Sequence, residues 1–182
     1  MAAMRRGFSL IELLVVIVII AVLATISTAA WRRTQRTSRA AVCMSNLRQL
    51  GAALVQNMGE HDGAFPTLAL AREKKTDPLE TIDTALKPYI TDASIFRCPA
   101  DERKLWETSG TSYLWNWKLN GQKLAAVRVA FVGRGSIDEV SRIMVMGDKE
   151  GFHPHLDNKV NVLYADGHAS NELTFLDDTP PQ

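Results

Sequence analysis

The feature that most constrains this chain is an almost unbroken apolar run from Phe8 to Ala30. At about 1.5 Å per residue, a helix over this run is long enough to cross a hydrocarbon core of about 30 Å. A helix that is apolar on every side has no face to offer water, so it must be covered by lipid or by other apolar surface. One charge breaks the run, Glu12, a turn from its start. A carboxylate near a bilayer interior is costly and marks a functional position. Three fates are open to such a segment. It can be a secretory signal cut at the small residues Ser27-Thr28-Ala29-Ala30, an anchor left intact, or a helix kept after cleavage on its amino-terminal side. The length of the run and the glutamate at its start argue against the first.

Charge is distributed unevenly around this run. Up to residue 50 the only acid is Glu12, while Arg5 and Arg6 precede the run and Arg32, Arg33, Arg36, Arg39 and Arg48 follow it. From residue 51 onward 14 Lys/Arg stand against 19 Asp/Glu, a formal charge of −5. The pattern is that of a basic neck at a membrane and an acidic soluble body, or of two ordinary solvated faces. An acidic body, with the acid-free arginine cluster beside the membrane run, gives only a weak electrostatic case for nucleic acid, and none is expected as a partner.

The string Arg5-Arg6-Gly7-Phe8-Ser9-Leu10-Ile11-Glu12-Leu13-Leu14-Val15 selects the third fate. It closely resembles the amino-terminal processing signal of type IV prepilins and type II secretion pseudopilins. The resemblance implies cleavage between Gly7 and Phe8 by prepilin peptidase, and N-methylation at Phe8. It implies that Glu12 pairs with the amino-terminal charge of a neighbouring subunit during assembly. It also implies that the amino terminus lies in the cytoplasm, on a single pass of the bacterial inner membrane, with the body in the periplasm or outside the cell. The arginines from Arg32 to Arg39 would then lie on the outer side, against the positive-inside tendency. The implied partners are copies of the chain, other pilin-like subunits and an inner-membrane assembly platform. The implied organisation is a leader at 1–7, an assembly helix at 8–30, the periplasmic half of the same helix at 31–59 and a body at 60–182.

Helical patterning continues past the run. Cys43, Leu47, Leu50, Leu54 and Met58 recur at spacings that place them on one face, and no proline occurs before Pro66. Gly59 and His61-Asp62-Gly63 supply a stop. Residues 66–100 read as irregular with short helices. Asp77-Pro78 is a candidate start, with Leu79, Ile82 and Leu86 sharing a face, and Phe96-Arg97-Cys98-Pro99 reads as extended. Tyr113, Trp115 and Trp117 alternate as one side of a strand or extended loop, for packing or for carbohydrate stacking. The stretch 124–132 is ambiguous between helix and strand. Residues 142–147 and 159–164 read as strands, and Asp166-Gly167 as a hairpin turn leading into 168–175. Strands after a long helix give an α+β class, pilin-like, with the helix packed on a mainly antiparallel sheet. The tail at 177–182 is expected to fray.

Cys43 and Cys98 sit in no zinc-ligand spacing, so they read as one disulfide in an oxidising compartment or as two buried thiols. The segment His155 to Gly167 is similar to a histidine-then-Asp-Gly signature of prepilin-like proteins, with ten residues rather than nine before Asp166. Asp148, Glu150, His155, Asp157, Asp166 and His168 crowd the same region, together with His153. Their oxygens suit calcium and their imidazoles a transition metal, but polar turns at the surface are the preferred account of such a cluster. No cofactor is required by these features. No nucleophile elbow, phosphate loop or His-Glu-x-x-His occurs, so the chain reads as a non-enzymatic subunit.

Overall fold

The computed structural model describes residues 10–127, 129–131, 135–137 and 139–173. One helix, α1, runs Leu10–Glu60. The chain divides into two compact units, residues 1–37 and 38–182. In the first, every large apolar side chain from Leu10 to Ile26 is at least 44% exposed. The hydroxyls there are satisfied within the helix. Thr25 donates to the Val22 carbonyl at 2.7 Å, Ser27 to Leu23 at 2.8 Å and Thr28 to Thr25 at 2.9 Å. Bonding back to a preceding carbonyl lets a hydroxyl sit in an apolar setting without an external partner.

The second unit is built around the remaining turns of α1. Cys43, Leu47, Leu50, Leu54 and Met58 are all buried, as the 3.6-residue period predicts. Gly51 lies in the same stretch, where a Cβ would come within 3.1 Å of Leu163 Cδ2. The helix runs one residue past Gly59. The chain then turns through Asp62 and Gly63, both at positive φ, with Gly63 N donating to the Met58 carbonyl at 2.8 Å.

Short helices follow, α2 at Ile82–Ala85 and α3 at Leu105–Ser109. The helix expected from Asp77-Pro78 begins later. Asp77 Oδ2 instead accepts from the backbone N–H groups of Glu73 and Lys74, closing a loop, and Thr81 opens α2 with its N–H donating to Thr84 Oγ1. Ile82 and Leu86 are buried, but Leu79 is exposed. Phe96, read as opening an extended piece, instead closes a 3₁₀ turn, Ala93–Phe96, which Asp92 caps through Ser94 N at 2.8 Å, while Arg97 after it is extended.

The strands are β1 Tyr113–Trp115, β2 Val129–Phe131, β3 Gly135–Ile137, β4 Met144–Asp148, β5 Val162–Tyr164 and β6 Ala169–Ser170. β1, β4, β5 and β6 form one antiparallel sheet in that order, and β2 pairs with β3. The α+β, pilin-like class is therefore the observed one: a long helix followed by an antiparallel sheet. Tyr113, Trp115, Val145, Met146 and Leu163 join the helix stripe in one core. Trp117 does not, being 57% exposed. Asn116 ends β1 by accepting from Lys118 N, which turns Trp117–Leu119 into a 3₁₀ segment. The 159–164 strand shortens to three residues, with Lys159 held at positive φ. Asp166-Gly167 makes the β5–β6 turn, with Gly167 at φ 89° and His168 N donating to Asp166 Oδ1. The far end of the 168–175 strand and the 177–182 tail lie outside the described residues.

Candidate functional site

Two places concentrate functional chemistry. The first is the amino-terminal end of α1. Gly7 and Phe8 lie outside the described residues. Glu12 occupies the first turn of α1, where a carboxylate is favoured by the partial positive charge of the unpaired helix N–H groups. It is surrounded in sequence by exposed Leu10, Ile11, Leu13 and Leu14. An 18-residue window of the helix is apolar enough to cross a membrane and none of it is buried. Among the described residues, Glu12 is the one carboxylate on the apolar segment from Leu10 to Ala30.

The second place lies inside the body. Cys43 on α1 is disulfide-bonded to Cys98, with Cα atoms 5.0 Å apart. Asp148 ends β4 and His153 follows in the next loop, and both side chains are essentially sealed from water. His153 Nε2 lies 3.5 Å from Cys98 Sγ and 3.4 Å from Asp148 Oδ2. Asp148 Oδ2 also accepts from the Asn161 backbone N–H at 2.7 Å and from Asn161 Nδ2 at 3.3 Å. Burial pushes the Asp148 carboxyl above its ordinary range, against the opposing hydrogen bonds from His153 and Asn161. Burial likewise raises the Tyr113 phenol, with the Asp148 charge adding to the effect. Asp148 Oδ1, His153 Nδ1, Tyr113 Oη and Asn161 Oδ1 are buried without a hydrogen-bond partner.

The six residues read from sequence as a cation cluster make different contacts. Asp148 is in the buried group just described. Glu150 pairs with Arg103 at 2.5 Å. Asp166 pairs with His168, whose ring stacks on Tyr164 at 4.5 Å between centroids. His155 and Asp157 are exposed, and the His155 ring meets the edge of His153 at 6.0 Å. Among the described residues, the possible ligand atoms that converge are those of Cys43, Cys98, Asp148 and His153, all within 4.8 Å of one another. His153, not His155, is the histidine at that point. No spacing rule could have found the group, since its members come from α1, a loop, the end of a strand and a second loop.

A family model described as the prokaryotic N-terminal methylation motif matches residues 3–28, a stretch that includes Gly7, Phe8 and Glu12. The match stops well short of the Asp166-Gly167 signature. No curated protein and no solved structure matches the chain. The motif and the exposed apolar helix fit a membrane-anchored, single-pass precursor that is processed by prepilin peptidase and assembles with other pilin subunits. The methylation motif at its head, with the long helix and antiparallel sheet behind it, makes the chain similar to type IV prepilins and pseudopilins over its amino-terminal segment and in fold class.

Proposed function

We propose that the chain is a structural subunit of a type II secretion pseudopilus. Prepilin peptidase cuts between Gly7 and Phe8, Phe8 is methylated, and the helix packs laterally with copies of itself and other pilin-like subunits on an inner-membrane platform. The body then faces the periplasm, and extension of the filament pushes folded cargo outward. The observation that carries this reading is the methylation motif over 3–28, continuous with a helix whose apolar side chains are exposed all round. Removing that surface from lipid into helix–helix contact keeps it dry. Pairing Glu12 with a neighbour's amino-terminal charge reduces the cost of holding either charge in a low-dielectric place. Body size and the Asp-Gly turn near the carboxyl end favour a pseudopilus over a long surface fibre.

Mass spectrometry of the mature amino terminus tests the processing step. A methylated phenylalanine start is expected, whereas a start after Ala29 or an intact Met1 overturns the reading. Glu12→Val should insert in the membrane but fail to enter filaments. Deleting the gene should abolish secretion of folded proteins and leave surface fibres intact. Loss of fibres with secretion unchanged would assign the subunit to a type IV pilus instead.

A further inference from the structure

The buried group around the disulfide carries more polar chemistry than a cross-link needs. A disulfide is apolar and asks for no carboxylate or imidazole beside it. Burying both costs free energy that hydrogen bonds must offset, and here Asp148 Oδ1 and His153 Nδ1 have no partner. Four atoms of different side chains, Cys43 Sγ, Cys98 Sγ, His153 Nε2 and an Asp148 carboxylate oxygen, lie within 4.8 Å of one another. All four residues are buried. With zinc-to-sulfur bonds of about 2.3 Å and bonds to nitrogen and oxygen of about 2.0 Å, a tetrahedral site has S–N edges of about 3.5 Å and N–O edges of about 3.3 Å. The observed separations are 3.5 Å for Cys98 Sγ to His153 Nε2 and 3.4 Å for His153 Nε2 to Asp148 Oδ2. Asn161 fixes the carboxylate with two N–H donors, the kind of support that orients metal ligands. Asp148 Oδ1 adds an independent sign, a carboxylate oxygen sealed from solvent with no donor facing it.

We propose that, in its dithiol form, the body binds one zinc-class cation through Cys43, Cys98, His153 and Asp148, so that metal and disulfide are alternative closures of the same site. Conversion from the disulfide needs a dithiol reductant. It delivers two electrons and two protons, the Sγ–Sγ bond breaks, two thiols form and the reductant becomes a disulfide. Zinc then displaces the two thiol protons to solvent and binds two thiolates, a carboxylate and a neutral imidazole. The thiolate sulfurs move apart to about 3.8 Å, the S–S edge of a zinc tetrahedron. Soft sulfur and imidazole donors select zinc over calcium or magnesium. Zinc would hold α1 to the Cys98 loop in a newly made chain before oxidation does so.

The test uses the full chain in detergent micelles. It is reduced with a phosphine, freed of reductant without oxygen, and titrated with zinc chloride while near-ultraviolet circular dichroism reports folding. One zinc per reduced chain is expected, with none bound by the disulfide form. Cobalt in place of zinc should give a thiolate-to-metal absorption band. His153→Ala and Asp148→Ala should each weaken zinc binding by at least about tenfold while both thiols remain present. Four results overturn the proposal: no zinc bound by the reduced chain, equal binding by the disulfide form, affinity unchanged in both variants, or a reduced chain that unfolds and is not refolded by zinc.

Discussion

Replacing both cysteines in Cys43→Ala/Cys98→Ala removes a cross-link between residues 55 positions apart. On the chain-entropy account, a closed loop of that size restricts the unfolded chain by about 14 cal/mol/K, or about 4 kcal/mol at 25 °C. Both side chains are fully buried, so their truncation adds a smaller packing loss. A typical domain has about 5–15 kcal/mol in total, so the variant should lose a large share of its stability. For a body of this size that corresponds to a fall in Tm of about 15 °C. Urea unfolding of the full chain in micelles, followed by the fluorescence of buried Trp115, measures it directly. A metal chelator should be present, so that the reduced native chain and the variant can be compared on equal terms. The unfolded variant is less constrained and exposes more surface, so its m-value should rise as its midpoint falls. A loss below about 1 kcal/mol with m unchanged would refute the reasoning. It would mean that α1 and the Cys98 loop stay together in the unfolded chain without the bond.

Three further outcomes follow from other parts of the body. The buried pair Arg72–Asp83, with side-chain exposures of 6% and 12%, is supported by Arg72 Nε donating to the Ser109 carbonyl and Thr81 Oγ1 donating to Asp83. Asp83→Ala should therefore cost about 3–5 kcal/mol in the same unfolding assay, whereas Arg72→Met/Asp83→Leu should recover most of that loss. Gly110 stands at φ 94°, where a Cβ would fall 2.2 Å from Asp83 Oδ2, so Gly110→Ala should cost at least about 2 kcal/mol through strain and displacement of the pair. The Ser94 hydroxyl and N–H hold the Asp92 carboxyl below its ordinary range, so this contact favours folding above the unfolded carboxylate pKa and is lost as pH falls through the lowered folded value. Carboxyl NMR titration should show Asp92 returning upward in Ser94→Ala.

What could be read from sequence was whatever repeats or runs. The apolar segment and the stripe Cys43-Leu47-Leu50-Leu54-Met58 are periodic signals that a helix must honour wherever it lies, and all five stripe residues are buried. The Asp166-Gly167 turn was legible for a local reason, the glycine at φ 89° that the reversal requires. Elements set by single side-chain hydrogen bonds were not legible. Asp77 closes a loop instead of capping a helix, and Asn116 ends β1 before Trp117 can join the core. The polar site was the least legible part. Its residues are scattered over positions 43 to 153, and only the fold brings Cys98, Asp148 and His153 within 3.5 Å steps of one another. A crowd of acids and histidines in sequence pointed to the right neighbourhood through Asp148, but crowding alone could not separate that buried member from exposed His155, Asp157, Asp166 and His168.

The polar groups of the apolar segment fall into two kinds, and the difference bears on how subunits would recognise one another. Thr25, Ser27 and Thr28 close their hydrogen bonds on carbonyls three or four residues back. They therefore place no polar demand on a neighbouring helix, and they let it approach closely because they are small. Glu12 differs in kind because it is a carboxylic acid, whatever hydrogen bonds it accepts. In lipid a negative charge there is costly, and it is best answered by an opposite charge at the same depth. On the proposed reading, methylated Phe8 supplies such a charge on each new subunit, four residues from Glu12 in the same chain. A copy shifted along the helix axis can then bring the two into register. Apolar packing supplies contact without selecting a position, since leucine, isoleucine and valine repeat along the whole segment. A single carboxylate selects one position. Conservative apolar exchanges between Leu13 and Leu23 should therefore leave assembly largely intact, while Glu12→Val should abolish it even though it makes the helix more uniformly apolar.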